Sequence, residues 1–224
     1  MTSKSNPHSF AEVAQQFYAD RRDAGRILAA QVLDEIGVAD DTVVLALTRG
    51  GVPVGAEVAA ALQAPLDVLV VRKLGVPGHE EYAMGAIATG GFQILNEATI
   101  ADLGVSEEDV AAVAAGERDE LKRRETLYRG HRPPLSVVGR RVVLVDDGLA
   151  TGASMRAAIR ALRAQKPRIL IVAVPVGAPE ACDEIERQVD ALICPLRPDP
   201  FYAVGLWYRN FEPTTDDEVR VALL

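Results

Sequence analysis

Val142-Val143-Leu144-Val145-Asp146-Asp147-Gly148-Leu149-Ala150-Thr151-Gly152-Ala153-Ser154 is the stretch that decides the fold. Its four apolar residues, preceded by Arg141, read as a short strand buried on both faces. The strand ends in two carboxylates. Small and hydroxyl residues follow, then a helical pattern from about Ser154 to Gln165. In an open α/β sheet, ligands bind beyond the carboxyl ends of the strands, which puts Asp146 and Asp147 at a site rather than in the core. The turn feeds a helix N-terminus, whose free N–H groups and positive partial charge suit an anion. Thr151 and Ser154 add hydroxyl donors, and Gly152 lets the backbone come close to a ligand. The turn therefore asks for a phosphate, and the acids ask for hydroxyls or a cation. A ribose 5-phosphate supplies both.

Working outward, Thr42–Leu47 is a second short apolar run, followed by Thr48-Arg49-Gly50-Gly51. Pro53 suits the first turn of a helix running through Glu57 and Ala61. Leu66–Val71 is the next strand, so the order is strand, helix, strand, as in a βαβ unit with a parallel sheet. Downstream, the pattern predicts a strand over Arg168–Val174, a helix over Pro179–Gln188 and a last strand through Leu192-Ile193. The expected fold is α/β, with a central, mostly parallel sheet flanked by helices.

Upstream, Ser9 and Glu12 form a capping-box pattern ahead of a helix expected from about Phe10 to Ile36. Arg72–Gly91 holds six glycines and prolines around His79-Glu80-Glu81 and reads as a long flexible loop. Phe92–Leu95 is a returning strand, and Ser106 opens a charged helix to about Tyr128. The tail from Pro198 to Phe211 concentrates Phe201, Tyr202, Trp207, Tyr208 and Phe211. Thr215 with Glu218 caps a short final helix.

The 224 residues fit one domain, 49% hydrophobic and only 5% aromatic, which favours helices on a Val-rich sheet over an aromatic-rich sandwich. A formal net charge of −8 argues against a nucleic-acid partner. Cys182 and Cys194 have no metal-type spacing and read as free thiols of a reducing compartment. Met1–Pro7 has no apolar signal region, and no run approaches the roughly 20 residues of a membrane span. The expectation is a cytoplasmic protein with no membrane partner.

Two common phosphate motifs do not fit. No Lys stands beside Gly152 as a P-loop needs, and Gly50, Gly51 and Gly55 miss the G-x-G-x-x-G spacing. Val142 to Ser154 instead closely resembles the signature of type I phosphoribosyltransferases, which bind 5-phosphoribosyl 1-pyrophosphate (PRPP). The resemblance implies that Asp146 and Asp147 hold the ribose hydroxyls. Gly148, Leu149, Ala150, Thr151, Gly152, Ala153 and Ser154 would form the turn around the 5-phosphate. Thr48, Arg49, Gly50 and Gly51 stand where the family has its pyrophosphate loop. Arg72 and Lys73 stand where its mobile catalytic loop begins, with Lys73 reaching the leaving pyrophosphate on closure. Arg49 and Lys73 are thus the expected catalytic cations.

Further expectations follow from the resemblance. Mg²⁺ would act through PRPP and water beside Asp146 and Asp147. The acceptor would be a nitrogenous base against a hood formed by the tail with Phe201, Tyr202, Trp207 and Tyr208, with Asp199 as a polar reader. The domain would run from 1 to 224, with a core over about 38–195 and a hood over about 196–224 to which 1–37 could contribute. The assembly would be a homodimer. Ala150 is a departure: the hypoxanthine-guanine branch has an Asp there that acts on the base. Ala153 replaces a frequent Gly, and Ser154 a common Thr. A PRPP-sensing regulator without catalysis is the competing expectation.

Overall fold

The computed structural model describes residues 17–224, so the Ser9 and Glu12 pattern lies outside the described residues. Helix α1 spans Arg21–Ile36, and the Asp20 side chain caps it by accepting from the Asp23 N–H. Strand β1 (Thr42–Leu47) leads into α2 (Gly51–Leu62) and β2 (Leu66–Leu69). After a separate segment come β6 (Arg141–Val145), α5 (Ala153–Ala164), β7 (Ile169–Ala173), α6 (Pro179–Glu186) and β8 (Ala191–Ile193). The five strands form one sheet in the order β2-β1-β6-β7-β8. Every pair is parallel, with Val43 opposite Val142 and Val143 opposite Ile171.

Parallel strands need both faces covered, and the residues comply. Val142, Val143, Leu144 and Val145 are all fully buried. Leu144 packs with Met155, Ile159 and Leu162 of α5 on one face. Val143 and Val145 pack on the other with Leu28 and Val32 of α1 and Val54 and Val58 of α2. Within the 1–37 stretch expected to assist the hood, α1 is therefore a layer of the core. Cys182 and Cys194 are free and buried, with sulfurs 3.8 Å apart.

The segment between β2 and β6 corrects one expectation. Arg72–Gly91 is not an open loop: β3 (Val71–Val76) and β4 (His79–Ala88) form an antiparallel hairpin, extended by β5 (Phe92–Leu95). The glycines suggest a loop, but they are spaced through strands in which Leu74, Val76, Met84 and Ile87 are buried. Those side chains pack beneath α4 (Glu107–Arg129), against Val110, Ala114 and Leu121. A short helix, α3 (Glu97–Asp102), is an addition that the sequence pattern does not predict. Arg129 at the end of α4 reaches back to the main sheet, its Nε 2.7 Å from Asp67 Oδ1. A 3₁₀ turn, Val204–Trp207, and helix α7 (Asp216–Ala222) complete the chain, α7 carrying the expected Thr215–Glu218 capping box. Among the described residues, no helix is long and apolar enough to cross a membrane.

Candidate active site

The site is assembled where β1 and β6 end side by side. Adjacent parallel strands deliver their next residues to the same edge, so Thr48–Gly51 and Asp146–Asp147 meet although about a hundred residues separate them. The approach is close enough to dictate residue type. A β-carbon on Gly50 would lie 2.1 Å from Asp147 Oδ2, and one on Gly51 would lie 2.8 Å from the Val145 carbonyl and 3.1 Å from Asp146 Oδ1. Any side chain on Gly50 would occupy the space of the carboxylate. The Thr48–Arg49 peptide that opens this turn is cis.

The two acids are sheltered. Burial, then the neighbouring Asp147 charge, pushes the Asp146 carboxyl well above its ordinary value. Burial also raises Asp147, and the Arg21 guanidinium opposes that rise. The Asp147 N–H donates to Asp146 Oδ1 at 2.9 Å, fixing one acid against the other. Arg21 Nε donates to Asp147 Oδ2 at 2.8 Å, and the Tyr208 hydroxyl donates to the Asp147 carbonyl. Neither partner is close to the acids in sequence; sequence reasoning does not single out Arg21 and gives Tyr208 only as a ring of the hood.

The turn after the acids is pinned from behind. The Leu149 N–H donates to the Val176 carbonyl at 2.9 Å, and the Ala178 N–H donates to the Leu149 carbonyl at 2.8 Å. Leu149 itself is buried in the core, which leaves Ala150, Thr151, Ala153 and Ser154 on the exposed side. Gly152 caps α5 with φ +73°, a left-handed geometry that glycine adopts without steric cost. Arg156 folds back over the turn, donating to the Thr151 carbonyl at 2.8 Å and to Glu184 at 2.9 Å. The turn is thus tied down from behind and exposed in front, at a helix N-terminus of the kind that suits an anion.

The expected cations behave differently. Arg49 is half exposed, with Nη1 3.6 Å from Asp216 Oδ1. Arg72 and Lys73 alternate on β3 and point to opposite faces. Arg72 turns toward α4, where Glu117 binds it at 2.7 Å, so the structure does not bring it to the acids. Lys73 faces the flank of α5 and lines a cavity of about 340 Å³ with Ser154, Arg156 and Arg160. It is therefore grouped with the phosphate turn.

The tail covers the acid turn, and of its expected rings only Tyr208 reaches the acids. Val204 lies over Gly148, whose added β-carbon would come within 2.5 Å of it. Trp207 stacks on Phe17 at 5.9 Å and Phe201 packs with Tyr18 and Val176, while Tyr202 is 79% exposed. Asp199 is exposed, its bond to Pro200 cis. The aromatic nearest the acids is Tyr208, with Phe211 beside it at 4.9 Å.

A magnesium site fits these donors only in part. Asp146 and Asp147 offer hard oxygens, but among the described residues no group of three or more acidic, His or Cys side chains could enclose a metal ion.

A parallel sheet with an acid pair, a glycine turn and a helix N-terminus at one edge is the arrangement in which open α/β proteins bind their ligands. A family model described as a phosphoribosyl transferase domain matches residues 14–204, and the chain belongs to that family. Rv0571c of Mycobacterium tuberculosis H37Rv, which carries a provisional phosphoribosyl transferase name, is 45% identical over 207 residues. That match covers 91% of this chain and 46% of the relative, so the chain spans about half the relative's length. The bifunctional protein PyrR of Ralstonia nicotianae is 33% identical over 62% of this chain and 74% of its own. The crystal structure of TT1426 from Thermus thermophilus superposes with a TM-score of 0.81 at 42% identity, covering 93% of this chain and 98% of that one.

Proposed function

We propose that this chain binds PRPP with Mg²⁺ and transfers the 5-phosphoribosyl group to a nitrogen acceptor, a nucleobase by preference, releasing pyrophosphate. The observation that carries the reading is the meeting of the Gly50-Gly51 turn with Asp146 and Asp147 at one sheet edge. That edge offers three different chemistries in the order PRPP needs them. N–H groups over Ala150–Ser154 suit the 5-phosphate. The acids suit the 2- and 3-hydroxyls. Arg49 and the amides of its turn suit the pyrophosphate.

In this reaction the C1–O bond breaks and its electron pair leaves on pyrophosphate. The acceptor nitrogen forms the new bond to C1 and gives its proton to water. Ala150 has no carboxylate to take that proton. Sugar transfers of this type pass through a cationic ring, so the chain's task is to hold the ribose and stabilise the leaving charge. Asp146 and Asp147 do the first. Arg49 and Lys73 do the second, Arg49 exchanging its exposed partner Asp216 for the pyrophosphate. Such exposed pairs are worth only about 0–1 kcal/mol, so the exchange is easy. Mg²⁺, when bound, supplies charge neutralisation at the pyrophosphate oxygens. Its direct ligands would be PRPP and water, with the two acids behind them.

A second reading has one observation in its favour. Ala150 supplies no acid where the hypoxanthine-guanine branch has one acting on the base, which is compatible with a PRPP-sensing regulator. Pyrophosphate release, measured with PRPP, Mg²⁺ and a panel of purine, pyrimidine and pyridine bases, separates the two. Turnover on any acceptor supports the transferase. Tight PRPP binding with no turnover on the whole panel supports the sensor.

A further inference from the structure

Arg21 occupies a position that helix chemistry does not favour. It is the first residue of α1, where the helix field repels a cation. Yet its side chain is only 11% exposed and makes three separate contacts. Nε donates to Asp147 Oδ2 at 2.8 Å, and Nη1 donates to the Glu212 carbonyl at 2.7 Å. The flat of the guanidinium lies 3.8 Å from the centroid of Phe211. Phe211 packs against Tyr208 in a tilted pair, and the Tyr208 hydroxyl donates to the Asp147 carbonyl. The segment before α1 and the 207–212 segment, far apart in sequence, thus meet around one residue. The main-chain bonds between them, from the Tyr18 N–H to the Trp207 carbonyl at 2.9 Å and from the Arg209 N–H to the Tyr18 carbonyl at 2.8 Å, make them a single unit.

A buried ion pair is poor evidence for stability, because desolvation offsets most of its attraction. Its value here is geometric. Arg21 engages Oδ2 of Asp147, and among the described residues Oδ1 receives no hydrogen bond. The carboxylate is left with one oxygen already held and one to offer.

We propose that Arg21 is a positioning residue of the ribose subsite, holding Asp147 so that Oδ1 faces the sugar diol, and that the 207–212 segment sets Arg21 in turn. This rests on the PRPP reading above. Lysine cannot replace it, since a single ammonium cannot bind a carboxylate, bind a carbonyl and stack flat at once.

The test measures ribose 5-phosphate and inorganic pyrophosphate separately, by calorimetry, on the full chain and on Arg21→Ala, Arg21→Lys and Phe211→Leu. Expected is a loss of about 10-fold in ribose 5-phosphate affinity for Arg21→Ala, the size of one charge-assisted hydrogen bond, with pyrophosphate affinity unchanged. Arg21→Lys recovers only part of the loss, and Phe211→Leu, which leaves the ion pair intact, shows a smaller loss in the same direction. If Arg21→Ala fails to fold, as judged by circular dichroism, the Phe211→Leu result decides. Undiminished ribose 5-phosphate affinity in the variants, or an equal loss for both ligands, overturns the positioning role and leaves the PRPP reading standing. Failure of the unsubstituted chain to bind PRPP at all overturns that reading and this role with it.

Discussion

The acid half and the cationic half of the site are built in opposite ways. Asp146 and Asp147 are sheltered, backed by a core strand, and fixed by Arg21, Tyr208 and the bare backbone of Gly50. Arg49 and Lys73 sit on exposed side chains, Arg49 with one weak partner and Lys73 with none among the described residues. The difference follows from what each half must do. Sugar hydroxyls are neutral and are recognised by geometry, which needs rigid acceptors. A departing pyrophosphate carries its charge away, and long exposed cations can follow it.

The contrast can be broken most sharply at Gly50. Gly50→Ala puts a methyl group where Asp147 Oδ2 lies, and overpacking of this kind costs about 1–3 kcal/mol. We expect PRPP affinity to fall about 100-fold and the melting temperature to drop, both readable from calorimetry and a thermal melt. Lys73→Ala should act on the other half alone. Turnover falls about 10- to 100-fold, while ribose 5-phosphate affinity stays as it was.

Asp146→Asn is expected to separate stability from function. Burial raises the Asp146 carboxyl, so the folded protein holds a proton that the unfolded chain releases. Stability therefore falls as pH rises from the ordinary carboxylate value toward the raised one. Above the ordinary carboxylate range, burying this acid opposes folding. Removing its charge should raise stability by about 1 kcal/mol, or about 3 °C in melting temperature, while PRPP binding is lost. The gain should vanish near about pH 3, where both states of the wild type are protonated. The smallest effect is expected at Asp216→Asn. It weakens an exposed partner of Arg49 and keeps an acceptor for the Tyr128 hydroxyl, so stability changes by less than about 1 kcal/mol and PRPP affinity by less than about threefold.

What the sequence revealed divides along the same line. The Val142–Ser154 turn was legible because its chemistry is local: an apolar run, two acids and a helix start, in thirteen consecutive residues. The parallel sheet followed from the alternation of short Val-rich runs with helical patterns. The hairpin at Val71–Ala88 was missed because glycine frequency outweighed the spacing of Leu74, Val76, Met84 and Ile87. The family resemblance groups Arg72 with Lys73 at the start of a loop, yet strand alternation sends one to Glu117 and the other to the α5 flank. Arg21 is not legible because its partner is 126 residues away and a helix read from about Phe10 hides that Arg21 is the first residue of α1.

The central claim is that Asp146 and Asp147 hold the ribose of PRPP. Titration of PRPP with Mg²⁺ into the unsubstituted chain and into the Asp146→Asn, Asp147→Asn double variant tests it directly. Saturable binding by the first and a loss of at least about 100-fold in the second is the expected result. Equal affinity in both, with the variant still folded, would contradict it.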